Sequence, residues 1–271
     1  KPIPVKPGQH YQMGGIETNE NGQTCIEGLY AAGECACVSV HGANRLGGNA
    51  LPELFVFGKR AGYHAAGRDM KTAEIPIGPS ARTETADLDA PVDTSSLDPE
   101  ETAPDGGMSA DPTAVLEETV TAERERIETL RDRDGTNHAD IRADVQETMT
   151  EYVNVFRTED GLQQALEDLQ HARREYQDVG VEDPSRTFNT DLIHTLETRN
   201  IIDLAETITL GALARTEFRG AHWRQEHQRR KDENWLKHTL IAWNDGSLDL
   251  YYVPVILEGE AKTYEPVERS Y

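Results

Sequence analysis

Cysteines, basic residues and long apolar runs are all scarce in this chain. Three cysteines in 271 residues argue against a disulfide framework and fit a reducing compartment. Lys and Arg number 27 against 49 Asp and Glu, a formal net charge of −22, which would repel a nucleic-acid backbone. No apolar run approaches the roughly 18 residues that a membrane-spanning helix needs. We therefore expect neither a disulfide-stapled domain, nor a nucleic-acid partner, nor a membrane span.

The acidic residues are spread over nearly the whole chain, and Lys is scarce beside Arg. A dispersed acidic surface keeps a protein solvated when salt screens its charges. The pattern favours a salt-adapted protein from a halophilic organism over an ordinary acidic protein with one acidic linker. Neither interpretation bears on chemistry.

The chain opens on KPIPVKPG, and Lys1 is not an initiator Met. This segment lacks the apolar core of a signal peptide. We expect the chain to begin inside a larger protein, at a segment that approaches an active site.

Composition divides the chain into four segments. Residues 1–66 are Gly-rich with short apolar runs, and residues 67–112 are acidic and rich in Pro, Ser and Thr, which predicts a linker or surface insertion. Residues 113–235 have helical periodicity. Residues 236–271 predict a hairpin followed by an irregular tail. The fold class is therefore mixed, α+β or α/β, with a helical bundle and a C-terminal hairpin.

Local patterns predict the elements of the first segment. Asn21-Gly22 within Ile16–Ile26 is a hairpin signal, and Leu29–Ala32 is a short, buried strand candidate. Ala50–Ala66 has apolar residues at helical spacing, with Asn49 as the predicted N-cap.

Three apolar stripes predict that consecutive helices pack into a small bundle. Asp111-Pro112 marks a helix start before them, and Thr158 is a cap candidate. The stripes comprise Ile141, Val145, Met149, Val153 and Phe156; Leu162, Leu166, Leu169 and Tyr176; and Leu192, Leu196, Leu204, Ile208 and Leu213.

Residues that carry chemistry are concentrated in the first sixty. In GANRLGGNAL, two glycines permit close backbone approach to a ligand and lead into a helix start that favours negative charge. Arg45 offers a two-pronged donor for a carboxylate. Glu34 ends GLYAAGE, the position that grips a ribose hydroxyl in dinucleotide folds. His10 precedes a double glycine and can donate to a dianionic substrate.

Several motifs, in order, closely resemble the flavoprotein subunit of succinate dehydrogenase and fumarate reductase. They are HYQMGGI, GLYAAGE and VHGANRLGGNALPELFVFGKRAG, followed by FNTDL, NIIDLA, RGAH and DENWLKHT. The resemblance implies the C-terminal remainder of an FAD-binding domain, followed by a helical domain. The dinucleotide glycine fingerprint, the flavin-linking His and the proton-shuttle Arg of the family are not in this sequence. We therefore assign no catalytic residue here and expect this fragment to be inactive alone.

The resemblance also assigns roles residue by residue. His10 and Arg45 match the residues that bind the two carboxylates of the substrate. Glu34 matches the acid on the FAD ribose, and Ala50 and Leu51 match the pair that approaches the flavin ring.

Two departures from the family pattern lie at the helix start. The family commonly has Ser at the Ala50 position, so a backbone contact there is kept and a hydroxyl contact is lost. It has Leu-Asp where this chain has Pro52-Glu53. Asn49, with the Gly pair, is expected to shape the turn toward the cofactor.

Other candidates have two interpretations each. His41 either touches flavin or substrate, or packs. Cys35 and Cys37 are too closely spaced for the usual metal pairings, so we predict buried thiols and no metal site. Arg219 and His222, in RGAH, either brace the Arg45 loop through an ionic network or contact the site directly.

The resemblance implies oxidation of succinate to fumarate with hydride transfer to FAD. Electrons would pass to an iron–sulfur subunit and, through membrane anchor subunits, to quinone. The protein would lie peripherally on the cytoplasmic face of the cell membrane. The alternatives are fumarate reductase, an L-aspartate oxidase-type enzyme, which shares HGANRL, and a non-catalytic interaction module.

Overall fold

The computed structural model describes residues 3–4, 8–68, 84–85, 112–244, 247–257 and 263. The helices are α1 (Ala50–Ala65), α2 (Pro112–Asp132), α3 (His138–Tyr152), α4 (Glu159–Gln177), α5 (Thr190–Ala214) and α6 (Asp232–Trp235). The strands are β1 (Ile16–Glu17), β2 (Ala36–Cys37), β3 (Glu84–Thr85), β4 (Thr136–Asn137), β5 (Val179–Gly180), β6 (Lys237–Asn244) and β7 (Ser247–Pro254). Within these residues, no helix combines the length and the apolar character needed to cross a lipid bilayer.

The chain forms two compact units. The first comprises residues 1–87, 216–240 and 250–271, and the second comprises residues 88–215 and 241–249. Most of the predicted acidic segment 67–112 and the tail 264–271 lie outside the described residues. The four-segment division of the sequence stays a prediction.

In the first unit, β1 pairs with β2 in parallel, with Ile16 opposite Ala36. The predicted hairpin over Ile16–Ile26 is therefore wrong in its pairing, although a turn does form, with Gly22 N donating to Asn19 O at 3.0 Å. The Asn19 side chain accepts from the backbone of Asn21 and Gln23, so local bonds replace a strand ladder.

The predicted strand at Leu29–Ala32 is reduced to one bridge, between Tyr30 and Gln23. Ala31 is buried as expected, but Leu29 is exposed. So short a segment has no ladder to hold a strand register.

Helix α1 forms where the sequence predicts it and ends one residue earlier. Its buried positions are Glu53 and Ala61, whereas the predicted face is exposed, at Leu51, Leu54, Phe55 and Gly58. Arg60 holds the helix to the preceding loop by donating from Nε to Glu20 O at 2.5 Å and from Nη2 to Asn21 Oδ1 at 3.1 Å.

The second unit contains the predicted helical bundle, made by α3, α4 and α5. Each helix starts at a side-chain cap, because Asn137, Thr158 and Asn189 accept backbone hydrogen bonds from the first turns. The buried stripe residues include Ile141, Val145, Leu162, Leu169, Tyr176 and Leu213. Two stripe positions are wrong, since Phe156 and Leu204 are exposed. Phe156 follows the end of α3, where helical periodicity no longer applies.

A charged cluster crosses from α4 to α5 within the bundle. Glu206 on α5 is buried, and Arg173 on α4 donates to its Oε1 from Nε at 3.1 Å. Arg173 also donates to Asp203 Oδ1 at 2.5 Å. The buried carboxylate is thus paired and hydrogen-bonded, as burial of charge requires.

The last two long strands are adjacent, as the predicted C-terminal hairpin requires. Strands β3, β7 and β6 are hydrogen-bonded in that order, and β3 is antiparallel to β7. Along β7 the side chains alternate between buried and partly exposed, which is the pattern of a strand with one covered face. Asp245 and Gly246, at the predicted turn, lie outside the described residues.

The bundle core gives a stability prediction. Leu169 is 0% exposed and Leu204 is 62% exposed. We expect Leu169→Ala to lower the free energy of unfolding by about 2–5 kcal/mol, because it leaves a cavity. The matched Leu204→Ala should change it by less than about 0.5 kcal/mol. Urea unfolding of the chain, followed by circular dichroism, measures both, and equal effects would contradict the burial pattern.

Candidate functional site

The predicted site residues of the first unit lie on four segments: around His10, just before β2, after β2 and at the start of α1. The segment after His10 is tied to Glu34, because Gln12 N donates to Glu34 Oε1 at 2.9 Å. His10 itself is exposed, and so is Glu34. Both therefore keep surface that a ligand can reach.

A compact cluster surrounds Tyr11. Its hydroxyl donates to Glu53 Oε2 at 3.3 Å and lies 3.3 Å from His41 Nε2. The rings of Tyr11 and His41 meet edge to face, with centroids 5.3 Å apart. Burial raises the pKa of the Tyr11 phenol, and the Glu53 carboxylate raises it further, so the hydroxyl keeps its proton and acts as a donor.

Arg45 lies against this cluster. Its guanidinium carbon sits 4.6 Å from the centroid of the Tyr11 ring, a cation–π contact. Nη1 donates to Leu46 O at 3.1 Å, while the buried Nε has no hydrogen-bond partner within the described part of the chain. Stacking orients the guanidinium, and an unsatisfied buried donor favours an incoming acceptor.

His41 is part of the cluster rather than an outlying residue. Its Nε2 lies 4.0 Å from Glu53 Oε2, and its side chain is 10% exposed. Its Nδ1 lies 3.5 Å from Asn49 Nδ2. The contacts on both ring nitrogens favour the packing interpretation of His41.

Helix α1 starts without the predicted cap. Asn49 precedes the helix, but it has helical backbone angles and its side chain makes no capping hydrogen bond; the side chain lies beside His41 instead. The first-turn N–H groups therefore receive no side-chain acceptor from Asn49, and they retain their affinity for negative charge. Leu51 is 66% exposed at this helix end, and Ala50 precedes it.

The cysteines differ from the prediction of two buried thiols. Cys35 is exposed, whereas Cys37 is half-buried, and burial raises the pKa of the Cys37 thiol. An ideal Cβ on Gly15 would lie 2.4 Å from Cys35 O. The backbone of Cys35 therefore packs closely against Gly15, whereas the Cys35 side chain is exposed.

Sequence reasoning missed Tyr11 and Glu53. Tyr11 lies between His10 and the double glycine Gly14-Gly15, the two features noted in that motif, and Glu53 is an acid in an otherwise apolar helix start. An acid on a face expected to be buried is a signal for a polar cluster. The structure brings Arg45, His41 and Asn49 together with these two residues, while Glu34 joins the neighbouring Gln12.

Arg219, the first residue of RGAH, lies in an ionic network. Arg219 donates from Nε to Glu217 Oε1 at 2.6 Å and from Nη2 to Asp232 Oδ1 at 2.6 Å. Both contacts are ionic and lie within its own segment. The hydrogen bond from Arg219 lowers the pKa of Asp232, so this carboxylate is ionised at neutral pH.

Family models match both ends of the chain. Residues 142–271 match the fumarate reductase flavoprotein C-terminal family, and residues 1–51 match the FAD binding domain family. The two matches follow the order that the motifs predict. They indicate FAD as the cofactor.

Curated relatives cover the whole chain. It is 38% identical over 270 residues to a fumarate reductase flavoprotein subunit of Mycobacterium tuberculosis, covering 99% of this chain and 40% of that protein. It is 36% identical over 286 residues to a succinate dehydrogenase flavoprotein subunit of Rickettsia bellii, covering 100% of this chain and 42% of that protein. The chain thus spans about two fifths of the length of these relatives.

A solved structure agrees with the relatives. The chain is similar to a mutant flavoprotein of quinol fumarate reductase from E. coli, with a TM-score of 0.74 and 35% identity, over 97% of this chain and 40% of that one. The predicted mixed fold class, with part of an FAD-binding domain followed by helices, is confirmed. Over nearly its whole length, the chain is similar to the flavoprotein subunits of fumarate reductase and succinate dehydrogenase.

Proposed function

We propose that this chain is part of the catalytic flavoprotein subunit of a succinate dehydrogenase, which oxidises succinate to fumarate. The observation that carries the proposal is Arg45, a cation stacked on Tyr11 with a buried Nε that has no partner among the described residues. A half-buried, oriented guanidinium favours a carboxylate ligand, because the pair makes strong, charge-assisted hydrogen bonds.

Other predicted site residues of the first unit fit FAD. Glu34 offers an exposed carboxylate for ribose hydroxyls. Gly47 and Gly48 have open space around their Cα atoms, and the α1 start that follows them has no side-chain cap. We assign Ala50, Leu51 and Asn49 to the flavin side of this turn. When bound, FAD would supply the hydride acceptor.

The chain's own residues would bind and orient the dicarboxylate. Arg45 would hold one carboxylate and His10 would donate to the other. Holding both ends restricts rotation of the central carbon–carbon bond and directs its C–H bonds, which is catalysis by positioning. No residue of this chain is assigned the proton transfer.

Assembly follows from the proposed electron path. We assign an iron–sulfur subunit as the electron acceptor and membrane anchor subunits that deliver electrons to quinone. The flavoprotein would then lie peripherally on the cytoplasmic face of the cell membrane. The relatives are flavoprotein subunits by name, which supports a multi-subunit complex.

Fumarate reduction is the second candidate, because the M. tuberculosis relative carries that name. The same clamp on two carboxylates serves both directions, so the electron partners and flavin potential decide between them. With the full-length complex, we expect succinate-driven dye reduction to be faster than fumarate-driven oxidation of a reduced viologen. A clear excess of the reverse rate would favour fumarate reductase.

Arg45 gives the sharpest mutational prediction. In the full-length complex, Arg45→Lys should lower kcat/KM for succinate by about a hundredfold, because a point charge cannot reproduce the planar fork or its stacking. Steady-state dye reduction measures it. Arg68→Lys, at an exposed position after α1, is the matched control and should retain wild-type rates. Near-normal activity of Arg45→Lys would refute the assignment.

Two substitutions of Tyr11 distinguish the stacking of its ring on Arg45 from the hydrogen bond of its hydroxyl to Glu53. Tyr11→Phe keeps the ring beneath Arg45 and removes only the hydroxyl and its hydrogen bond to Glu53, so it should raise KM for succinate less than Tyr11→Leu does. Tyr11→Leu removes the cation–π contact, worth ~0.5–1 kcal/mol, and should raise KM about two- to fivefold. Equal KM values for the two variants would show that the ring does not orient Arg45.

A further inference from the structure

A turn that comes much later in the chain lies against the segment that carries Arg45. The turn, Arg219–His222, is closed by mutual backbone hydrogen bonds of 3.0 Å between its end residues. Its Ala221 N donates to Ala43 O at 2.9 Å. Ala43 is two residues before Arg45, so this bond holds the backbone that presents the guanidinium.

Gly220 makes this approach possible. Its φ is +59°, a conformation that side chains other than glycine's rarely adopt. An ideal Cβ at this position would lie 2.4 Å from Ala43 O and 2.5 Å from Ala43 C. Any side chain at position 220 must therefore push the turn and the Ala43 backbone apart.

The turn itself is anchored by charge. Glu217 is fully buried, and it accepts from Arg219 Nε and from Lys231 N, the latter at 2.9 Å. Arg219 bridges from Glu217 to Asp232. Because a buried carboxylate is costly unless it is hydrogen-bonded and paired, these bonds make the turn a rigid platform.

A second tie lies on the other side of His41. Ser39 Oγ and His238 Nε2 are 3.0 Å apart, and Ser39 has a φ of +70°. Residues 39–43 are thus held at both ends by residues that follow position 215. Two separated contacts restrain a loop more strongly than one, because they remove rotation as well as translation.

We infer that the Arg219–His222 turn is a positioning element for Arg45, acting through the Gly220–Ala43 contact and the Ala221–Ala43 hydrogen bond. The inference rests on the proposed function, since it concerns how the carboxylate clamp is held. Gly220 and Ala221 are positioning residues that act through the backbone of Ala43.

The test substitutes Gly220→Ala in the full-length complex and measures binding of malonate. Malonate is a dicarboxylate with a single central carbon, so it cannot form the carbon–carbon double bond of the product. Displacement of the Ala43 backbone should weaken malonate binding about tenfold and raise KM for succinate by the same factor. FAD content per subunit and flavin reduction by dithionite should stay at wild-type levels.

Gly67→Ala is the matched control. Gly67 also has a positive φ, +68°, but an added Cβ there meets nothing within 4 Å. Both substitutions carry the same kind of backbone strain, and only Gly220→Ala disturbs Ala43. A loss of FAD or of thermal stability in both variants, with malonate affinity unchanged, would overturn the inference.

The wild-type complex separates this inference from the proposed function. If it neither binds malonate nor oxidises succinate, the proposed function fails. If it does both and Gly220→Ala binds malonate within twofold of wild type, only the inference fails. Should Gly220→Ala yield no complex, Arg219→Lys replaces it: malonate affinity should fall about threefold, since one ammonium cannot bridge both carboxylates as the guanidinium does, and unchanged affinity would overturn the inference.

Discussion

The carboxylate of Glu53 is 4% exposed, and a buried charge must be compensated by donors or by cations. Here the donor is Tyr11, with His41 close by. These two partners come from two separate segments outside α1, so satisfying one carboxylate draws both segments to the start of α1. Arg45 stacks on the same tyrosine, which makes the clamp geometry depend on where Glu53 is buried.

Charge acts differently at long and short range in this protein. The chain carries a formal charge of −22, a field that opposes the proposed dianionic substrate. Arg45 and the uncapped start of α1 would attract this substrate locally, at the proposed binding site. Salt would screen the long-range repulsion far more than the short-range contacts, which is compatible with the predicted salt adaptation.

Helical periodicity predicted the bundle well because its core positions repeat every three to four residues. Ile141, Val145 and Leu169 are buried as the stripes require, and Thr158 caps α4 as predicted. Leu204 is apolar and lies at a stripe position, yet it is exposed. Periodicity identifies the apolar face of a helix, but it does not tell how much of that face another helix covers. The pairing of β1 with β2 could not be predicted, since two-residue strands carry no period and the partner lies twenty residues away.

The sequence by itself indicated the similarity to flavoprotein subunits, the helices and the residue types proposed for the site, since ordered motifs and periodic stripes are properties of the chain. The motifs predict His10, Glu34 and Arg45 as ligand-binding residues. Only the tertiary structure decided how the site is supported: that Tyr11 lies beneath Arg45, that Glu53 is buried behind it and that the Gly220 turn backs Ala43. These are contacts between residues far apart in sequence, and their geometry follows from burial, steric fit and charge pairing that no local pattern encodes.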